Sequence, residues 1–426
     1  MSLTQNEKIC QVTNETMVVG VDIASETHYA RVFDNRGIEF GKVFSFGSNR
    51  EGFEQFSAKI TKLMRENGKT TVIVGAEPTG HYWFTFGEYL KNQGVRLVFV
   101  NPMHVKRTKE IDDNRAGKND RKDPKTIAQL VIGGRYLEPY IPEDIYAELR
   151  VANNNRVRIT AEMVAIENQV RRWFSIYFPE YKLVFGDWSC ASSIIVLRNA
   201  PLPQDVLKLE AAGINALWRE QKLRAVGIGR ATRLYEVART SVGVTEGVKA
   251  ARCELEMLLD DYLSKQKQLE IVMMILETLV IQLPHAEKLL AIKGIGLLTV
   301  AGFFAEVGDL GRFKSPKQIQ KLAGYEIAEN SSGKHKGQTR ISKRGRRLLR
   351  YTLFQAVTSL ILHQSGFAAL HKHYKTRAVN PLKGKQSKVA LCCKLIRIFW
   401  LITTKGKDFD SYTMMNDIER NQPTAA

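Results

Sequence analysis

The sequence predicts an α/β domain followed by an all-α remainder, and three features carry that prediction. Up to about residue 140, short apolar runs of strand length alternate with segments of helical spacing. From about Thr245 to Leu283, apolar residues recur at near-heptad intervals. After Pro284 a glycine-bearing turn leads into a continuous apolar helix.

The elements follow in order. Met17 to Ile23 is a buried strand, and His28 to Phe33 is a second one after a short turn. Asn35-Arg36-Gly37 is a hairpin turn into a third strand, Ile38 to Phe46. Arg50 to Glu66 carries Phe53, Phe56, Ile60, Leu63 and Met64 at helical spacing. The strand Thr71 to Ala76, a helix from about His81 to Gln93 and the strand Arg96 to Val100 come next. Three strands in hairpin order, then alternating helix and strand, match the topology of a ribonuclease-H-like domain. In that topology the first and fourth strands are neighbours. Glu143 to Tyr181 is polar and helical, while 185–245, with Pro201, Pro203 and several glycines, is expected to be an irregular inserted subdomain. In the long helix, Leu255, Leu258, Tyr262, Leu269, Val272, Leu276, Leu279 and Leu283 form a seam. It suits either packing within the chain or a dimer-forming arm. Ile292-Lys293-Gly294-Ile295-Gly296 resembles a helix-hairpin-helix turn that presents backbone N–H groups to phosphate; a plain helix connection fits it too. The expected organisation is a tail (1–16), an α/β domain (17–140) and a helical arm (141–284) holding the insertion. A C-terminal helical domain (285–405) and a second tail (406–426) complete it.

At 426 residues the chain is long enough for two or three cores. No run of about 18 apolar residues occurs, so a membrane span is not expected, and the polar N-terminus lacks the apolar core of a signal peptide. Cys10, Cys190, Cys253, Cys392 and Cys393 are scattered without metal-ligand spacing, which points to reduced thiols in the cytoplasm. The net charge of +19 favours a polyanion, although an inert basic surface or an acidic membrane would also satisfy it.

Two constellations bear chemistry. Asp22 and Glu77 each close an apolar run, and Asp120 and Asp123 lie three apart where a basic loop gives way to a helix. Neighbouring strand ends bring such carboxylates together, and their hard oxygens suit Mg²⁺ or Mn²⁺ in phosphodiester chemistry. Each acid is alternatively an ordinary turn or cap residue, and Asp123 before Pro124 is a good helix start. Asp112 and Asp113 are expected in a loop and are set aside. That loop carries Lys106, Arg107, Lys109, Arg115, Lys118, Arg121, Lys122 and Lys125, suited to nucleic-acid backbone or to plain solvation. The second constellation is Ser331-Ser332-Gly333, followed by Lys334, Lys336, Arg340, Lys343, Arg344, Arg346, Arg347 and Arg350, with no acid from Lys334 to Arg350. A serine in that setting suits attack on a phosphodiester, with cations stabilising the developing charge. Ser-Ser-Gly is also a common loop.

Asp22-Ile23-Ala24, Glu77-Pro78-Thr79-Gly80-His81-Tyr82, Asn101-Pro102 and Asp120-Arg121-Lys122-Asp123 resemble the DEDD domain of insertion-sequence transposases. These are the bridge-RNA-guided recombinases related to Piv-type DNA invertases. In the C-terminal half the matching stretches are Ile295-Gly296, Phe313 through Leu322-Ala323-Gly324, Ser332-Gly333 and Arg340-Ile341-Ser342-Lys343-Arg344-Gly345. Together they cover about 17–135 and 285–400.

The resemblance implies a RuvC-like domain in which Asp22, Glu77, Asp120 and Asp123 bind Mg²⁺, and a C-terminal Ser332 that forms a phosphoserine link to DNA. It also implies a homo-oligomer, dimer or tetramer, with active sites composed across protomers, and a structured non-coding guide RNA. The basic loop and the Arg/Lys cluster would hold DNA and RNA backbones, in the bacterial cytoplasm at the nucleoid. Ser25 stands where the family commonly has lysine, and Ala323-Gly324-Tyr325-Glu326-Ile327 replaces an Ala-Gly-Leu-x-Pro pattern. The spacing to Ser332 is kept, which favours it over Ser331. The resulting expectation is a transposase that cleaves and rejoins DNA. A junction nuclease using water and a non-catalytic nucleic-acid-binding protein are the alternatives.

Overall fold

A computed structural model describes residues 3–112, 123–328, 331–332, 335–336 and 339–413. The chain divides into two compact units, Met1–Ile141 and Pro142–Ala426.

The first unit is a sheet between helices. Helix α1 (Gln5–Cys10) starts at a Thr4–Glu7 capping box. Then come β1 (Thr16–Asp22), β2 (Thr27–Phe33), β3 (Phe44–Gly47), α2 (Arg50–Glu66), β4 (Thr71–Ala76), α3 (Trp83–Asn92) and β5 (Arg96–Val100). Helices α4 (Pro102–Asp112) and α5 (Asp123–Ile132) and the short β6 (Tyr136–Leu137) complete it. The strand order is β3-β2-β1-β4-β5-β6, with β1 parallel to β4 and β4 parallel to β5. The expected neighbouring of the first and fourth strands is therefore present. One face packs Met17, Val19 and Val21 against Phe53, Phe56 and Phe86; the other packs Val18 and Ile73 against Ile127 and Val131 of α5. Burial on both faces is why β1 reads as an unbroken apolar run instead of alternating.

The third strand is shorter than expected. The Asp34 carboxylate accepts the N–H groups of Arg36 and Ile38 at 2.9 and 2.8 Å and closes the turn. Only a Phe33–Glu39 bridge follows before the chain re-enters the sheet at Phe44. A second correction concerns the basic loop. Lys106, Arg107 and Asp112 lie on α4, because the Asn101 side chain accepts the Met103 N–H at 2.9 Å and starts a helix.

The second unit is almost entirely helical. Two helices of 34 residues, α6 (Asp144–Tyr177) and a later antiparallel partner, form its spine, each roughly 50 Å long. Between them lie α7 (Ala191–Asn199), α8 (Pro203–Glu220) and α9 (Ile228–Arg239), and the returning spine helix is α10 (Val248–Ile281). The expectation of an irregular segment at 185–245 is thus wrong. Pro203 occupies the first turn of α8, where its missing N–H costs nothing, and Gly227 precedes α9. These helices and the adjoining spine ends share one core around Trp173, Trp188, Trp218 and Tyr262.

The other end of the spine packs on α11 (Ala286–Leu290), α12 (Leu297–Val307) and α13 (Pro316–Leu322). Four two-residue strands follow, β7 (Ile327–Ala328), β8 (Ser331–Ser332), β9 (His335–Lys336) and β10 (Arg340–Ile341). Helices α14 (Arg347–His363), α15 (Ser365–Thr376) and α16 (Gly384–Lys405) close this core around Phe303, Leu353, Leu360, Leu395 and Phe399. The α10 seam finds α6 of its own chain, with Leu255 and Leu276 buried and Lys265 Nζ 2.8 Å from Glu162 Oε2. Among the described residues no single helix is long and apolar enough to cross a membrane.

Candidate functional site

The β1–β4 ladder ends with Val21 opposite Ala76. One step further along both strands, Asp22 stands level with Glu77. Side chains alternate across a strand, so both acids follow Val18 and Ile73 onto the face covered by α5. Helix α5 lies close there because its neighbours are Gly20 and Gly75, themselves a register pair. A methyl group on Gly20 would fall on the Pro124 carbonyl oxygen, 2.8 Å from its carbon and 2.9 Å from Ala128 N. Asp123, the first residue of α5, is adjacent to that contact. Three of the four predicted acids therefore share one face and one end of the sheet, each half-buried. Among the described residues, no three His, Cys, Asp or Glu side chains close into a metal-holding group. Asp120 lies outside the described residues, as do Asp113, Arg115, Lys118, Arg121 and Lys122. The donor set in place is all carboxylate, the chemistry that Mg²⁺ prefers.

The serine motif lies on a nested hairpin. Glycine at position 324, at φ +72°, ends α13: its N–H reaches Lys321 O at 2.9 Å, and the Tyr325 N–H reaches Gln320 O at 3.0 Å. The returning arm is tied at its base by Ser342 N–H to Glu326 O (2.7 Å) and Lys343 N–H to Gly324 O (3.0 Å). Ile327 pairs with Ile341 and Ala328 with Arg340; farther out, Ser331 pairs with Lys336 and Ser332 with His335. Ser332 thus stands near the far end of a hairpin rooted between α13 and α14; Lys334 lies outside the described residues.

The cationic residues after it divide by task. Arg340, Lys343, Arg344 and Arg347 are exposed. Arg350 donates to Ala323 O (2.9 Å) and Gly345 O (3.2 Å), and Arg346 lies 3.5 Å from the buried Glu306 carboxylate. These two hold the hairpin root in place. Lys106 and Arg107 are exposed on α4.

Comparison with known proteins agrees with both halves. An IS110-type DEDD transposase model matches residues 19–179, and the model of the IS116/IS110/IS902 transposase family matches residues 286–372. The chain belongs to this transposase family. It is 22% identical over 400 residues to the transposase of insertion sequence IS1111A from Coxiella burnetii, covering 92% of this chain and 91% of that one. It is 24% identical over 288 residues to an uncharacterized 42 kDa protein of element IS900 from Mycobacterium paratuberculosis, covering 67% and 71%. The pilin gene-inverting protein of Moraxella bovis is 30% identical over 132 residues, 30% of this chain and 40% of that protein.

One buried residue, on the face of the sheet opposite the acids, carries no signal in this transposase's sequence. His28 on β2 is fully buried, with ring centroids 5.1 Å from Phe46 and 5.8 Å from Phe86. Its Nδ1 accepts the Ala24 N–H at 3.2 Å, which fixes the turn just after Asp22. Burial lowers its pKa below the usual histidine value, so the folded ring is neutral. A lone histidine in an aromatic run carries no periodic signal that distinguishes it from a core residue.

The folded chain binds this proton less readily than the unfolded one, so stability falls as pH drops from about 6.5 through the depressed folded pKa. The expected result is a melting temperature that declines over that range and a shallower decline in His28→Phe. Identical pH profiles for the two proteins would refute the assignment.

Proposed function

We propose that this transposase cleaves and rejoins DNA through a covalent serine intermediate, with the carboxylates of the sheet and the Ser332 hairpin as its two chemical parts. The observation that carries the first half is that Asp22 and Glu77 each directly follow the Val21–Ala76 pair that ends the parallel ladder, with α5 starting at Asp123 on the same face. The strand order is that of a ribonuclease-H-like, RuvC-like domain, which supports the same reading. The pilin gene-inverting relative supports rejoining, because inverting a DNA segment requires its ends to be joined again.

Asp22, Glu77, Asp120 and Asp123 would hold Mg²⁺, or Mn²⁺, which supplies positive charge at the scissile phosphate when bound. The Ser332 hydroxyl gives up its proton and bonds to phosphorus, the bond to the leaving DNA oxygen breaks, and that oxygen takes up a proton. Attack by a DNA hydroxyl on the phosphoserine reverses the step, conserving the phosphoester. Arg340, Lys343, Arg344 and Arg347 would hold the backbone and stabilise charge at phosphorus. A structured non-coding RNA would choose the target by base pairing, and a dimer or tetramer would bring several sites to one synapse.

The test incubates the protein with element-end DNA, the flanking transcript and Mg²⁺, then measures a denaturation-resistant protein–DNA adduct. Ser332→Ala is expected to lower the adduct by at least about a thousand-fold, and Asp22→Ala to suppress it similarly. Nicking that survives Ser332→Ala and is lost in Asp22→Ala would establish a water-using nuclease instead. Binding without strand breakage under any condition would leave only a binding protein. An adduct undiminished in Ser332→Ala but lost in Ser331→Ala would move the nucleophile by one residue.

A further inference from the structure

Shortly after Glu77 the chain carries an unbroken aromatic run, His81-Tyr82-Trp83-Phe84. Trp83 is its anchor. The indole meets Phe99 of β5 edge-on, with ring centroids 4.7 Å apart, and packs on the core beneath α3. Gly87 makes room for it: a methyl group there would stand 3.1 Å from Trp83 Cε3 and 3.3 Å from Leu97 Cδ2. Phe84 stacks on Trp83 at 4.3 Å with 21° between the ring planes, yet is 53% exposed. Tyr82 pairs with the exposed His81 at 4.4 Å and is itself 38% exposed. Among the described residues of the first unit, Tyr82 and Phe84 are the Phe and Tyr rings left open to water, whereas Phe53, Phe56 and Phe86 are buried in the adjoining core. A single exposed apolar side chain needs no explanation. Two rings, each braced by another ring, present fixed aromatic faces.

Their place in the sheet names what they meet. Strands β1, β4 and β5 are parallel, so the segments leaving them lie at one end of the sheet, the end that carries Asp22 and Glu77. The segment after β5 enters α4, whose Met103, Lys106 and Arg107 are exposed. Tyr82 is five residues beyond Glu77, a reach of at most about 18 Å. At about 3.4 Å of rise per nucleotide, rings there lie within about five nucleotides of a phosphate held at Glu77. The chain belongs to a transposase family, which brings DNA to this unit. Aromatic faces beside cations are the combination on which bases of a single strand stack.

We infer that Tyr82 and Phe84 form a stacking platform for an unpaired nucleobase of the DNA strand handled at the carboxylates. A base inside a duplex already has neighbours on both faces, so the platform acts on a segment that has opened. Neither Ser332 nor a metal ion takes part. The inference rests on the transposase reading only for the presence of DNA near Glu77. It is therefore tested by binding in EDTA, where cleavage chemistry is silent, and the adduct assay reports separately on the reading beneath it.

The experiment titrates full-length protein with element-end DNA in two forms, fully paired and with one segment opened by mismatches, across a range of salt concentrations. Tyr82→Ala and Phe84→Ala are each expected to weaken binding to the opened probe about ten-fold, and to leave the paired probe within about two-fold of the parent. The slope of log K against log salt should stay unchanged, because a lost ring removes no phosphate contact. Phe84→Leu should lose as much as Phe84→Ala, since leucine keeps apolar area and lacks a π face. Tyr82→Phe should bind like the parent. In the opened segment, 2-aminopurine should be quenched by the parent protein at a confined position and regain its fluorescence with Tyr82→Ala.

Unaltered affinity for the opened probe, equal losses on both probes, or a changed salt slope would overturn the inference. So would losses confined to the flanking transcript RNA, or losses that follow a fall in oligomeric state measured by sedimentation. If an alanine variant melts well below the parent protein, Phe84→Leu and Tyr82→Phe decide. A loss in the first with full binding in the second supports the platform; Phe84→Leu that binds like the parent refutes it.

Discussion

Gly20→Ala is expected to destabilise the first unit by about 3 kcal/mol or more and to abolish adduct formation. The added methyl group meets the carbonyl of Pro124 and the backbone nitrogen of Ala128, both in α5. Backbone atoms cannot rotate aside as side chains do, so either α5 lifts from the sheet or β1 buckles. Either response moves Asp123 relative to Asp22 and Glu77, where a displacement of about 1 Å is enough to cost a hundred-fold in rate.

Gly75→Ala is the control. There the nearest atoms are Val131 Cγ2 at 2.5 Å and Ile127 Cγ2 at 3.2 Å, side-chain tips that can shift. Its cost should be about 1–2 kcal/mol, with activity partly kept. Urea melts and the adduct assay on both variants make the comparison. Native stability and full activity in Gly20→Ala would mean that α5 does not rest on β1 in solution.

The second large effect belongs to the far end of the spine. Trp173→Ala should cost about 3–5 kcal/mol, because the indole is fully buried and its removal leaves a cavity between α6 and α10. Its Nε1–H also donates to Ala251 O at 2.8 Å, so Trp173→Phe, which retains most of the volume, should still lose about 1 kcal/mol. Met257→Ala on the same spine should be nearly neutral, since that side chain is 62% exposed. Denaturation followed by tryptophan fluorescence reads this core through Trp173, Trp188 and Trp218. A loss below 1 kcal/mol in Trp173→Ala would show that the two spine helices do not depend on each other there.

Both effects concern contacts that a linear reading meets unevenly. The strands Thr71 to Ala76 and Arg96 to Val100 and the helix Arg50 to Glu66 were legible to the residue, since a buried strand and an amphipathic helix write their periods directly into the chain. Helix α4 was not, because its Lys106 and Arg107 face water and Val105 is its buried apolar residue among those described. The helices within 191–239 were hidden by Pro203 and Gly227 at their starts and by a break in helical geometry at Glu210 (φ 55°) inside α8. The α10 seam was visible, yet a heptad stripe does not name its partner, and α6 of the same chain is the partner that covers it.

By itself the sequence determined that Asp22 and Glu77 end apolar strands, that Asp123 begins a helix, and that a serine stands ahead of an acid-free basic stretch. Those are local properties, set by periodicity, capping and spacing along the chain. Only the tertiary structure decided that Val21 pairs with Ala76 across a 55-residue separation, so that Asp22 and Glu77 follow at one end of the sheet, that paired glycines seat α5 beside them, and that Arg350 and Arg346 face inward at the hairpin root. The reason is physical: strand register and the partner of a buried charge depend on which distant surfaces exclude water together, and no window of neighbouring residues contains that information.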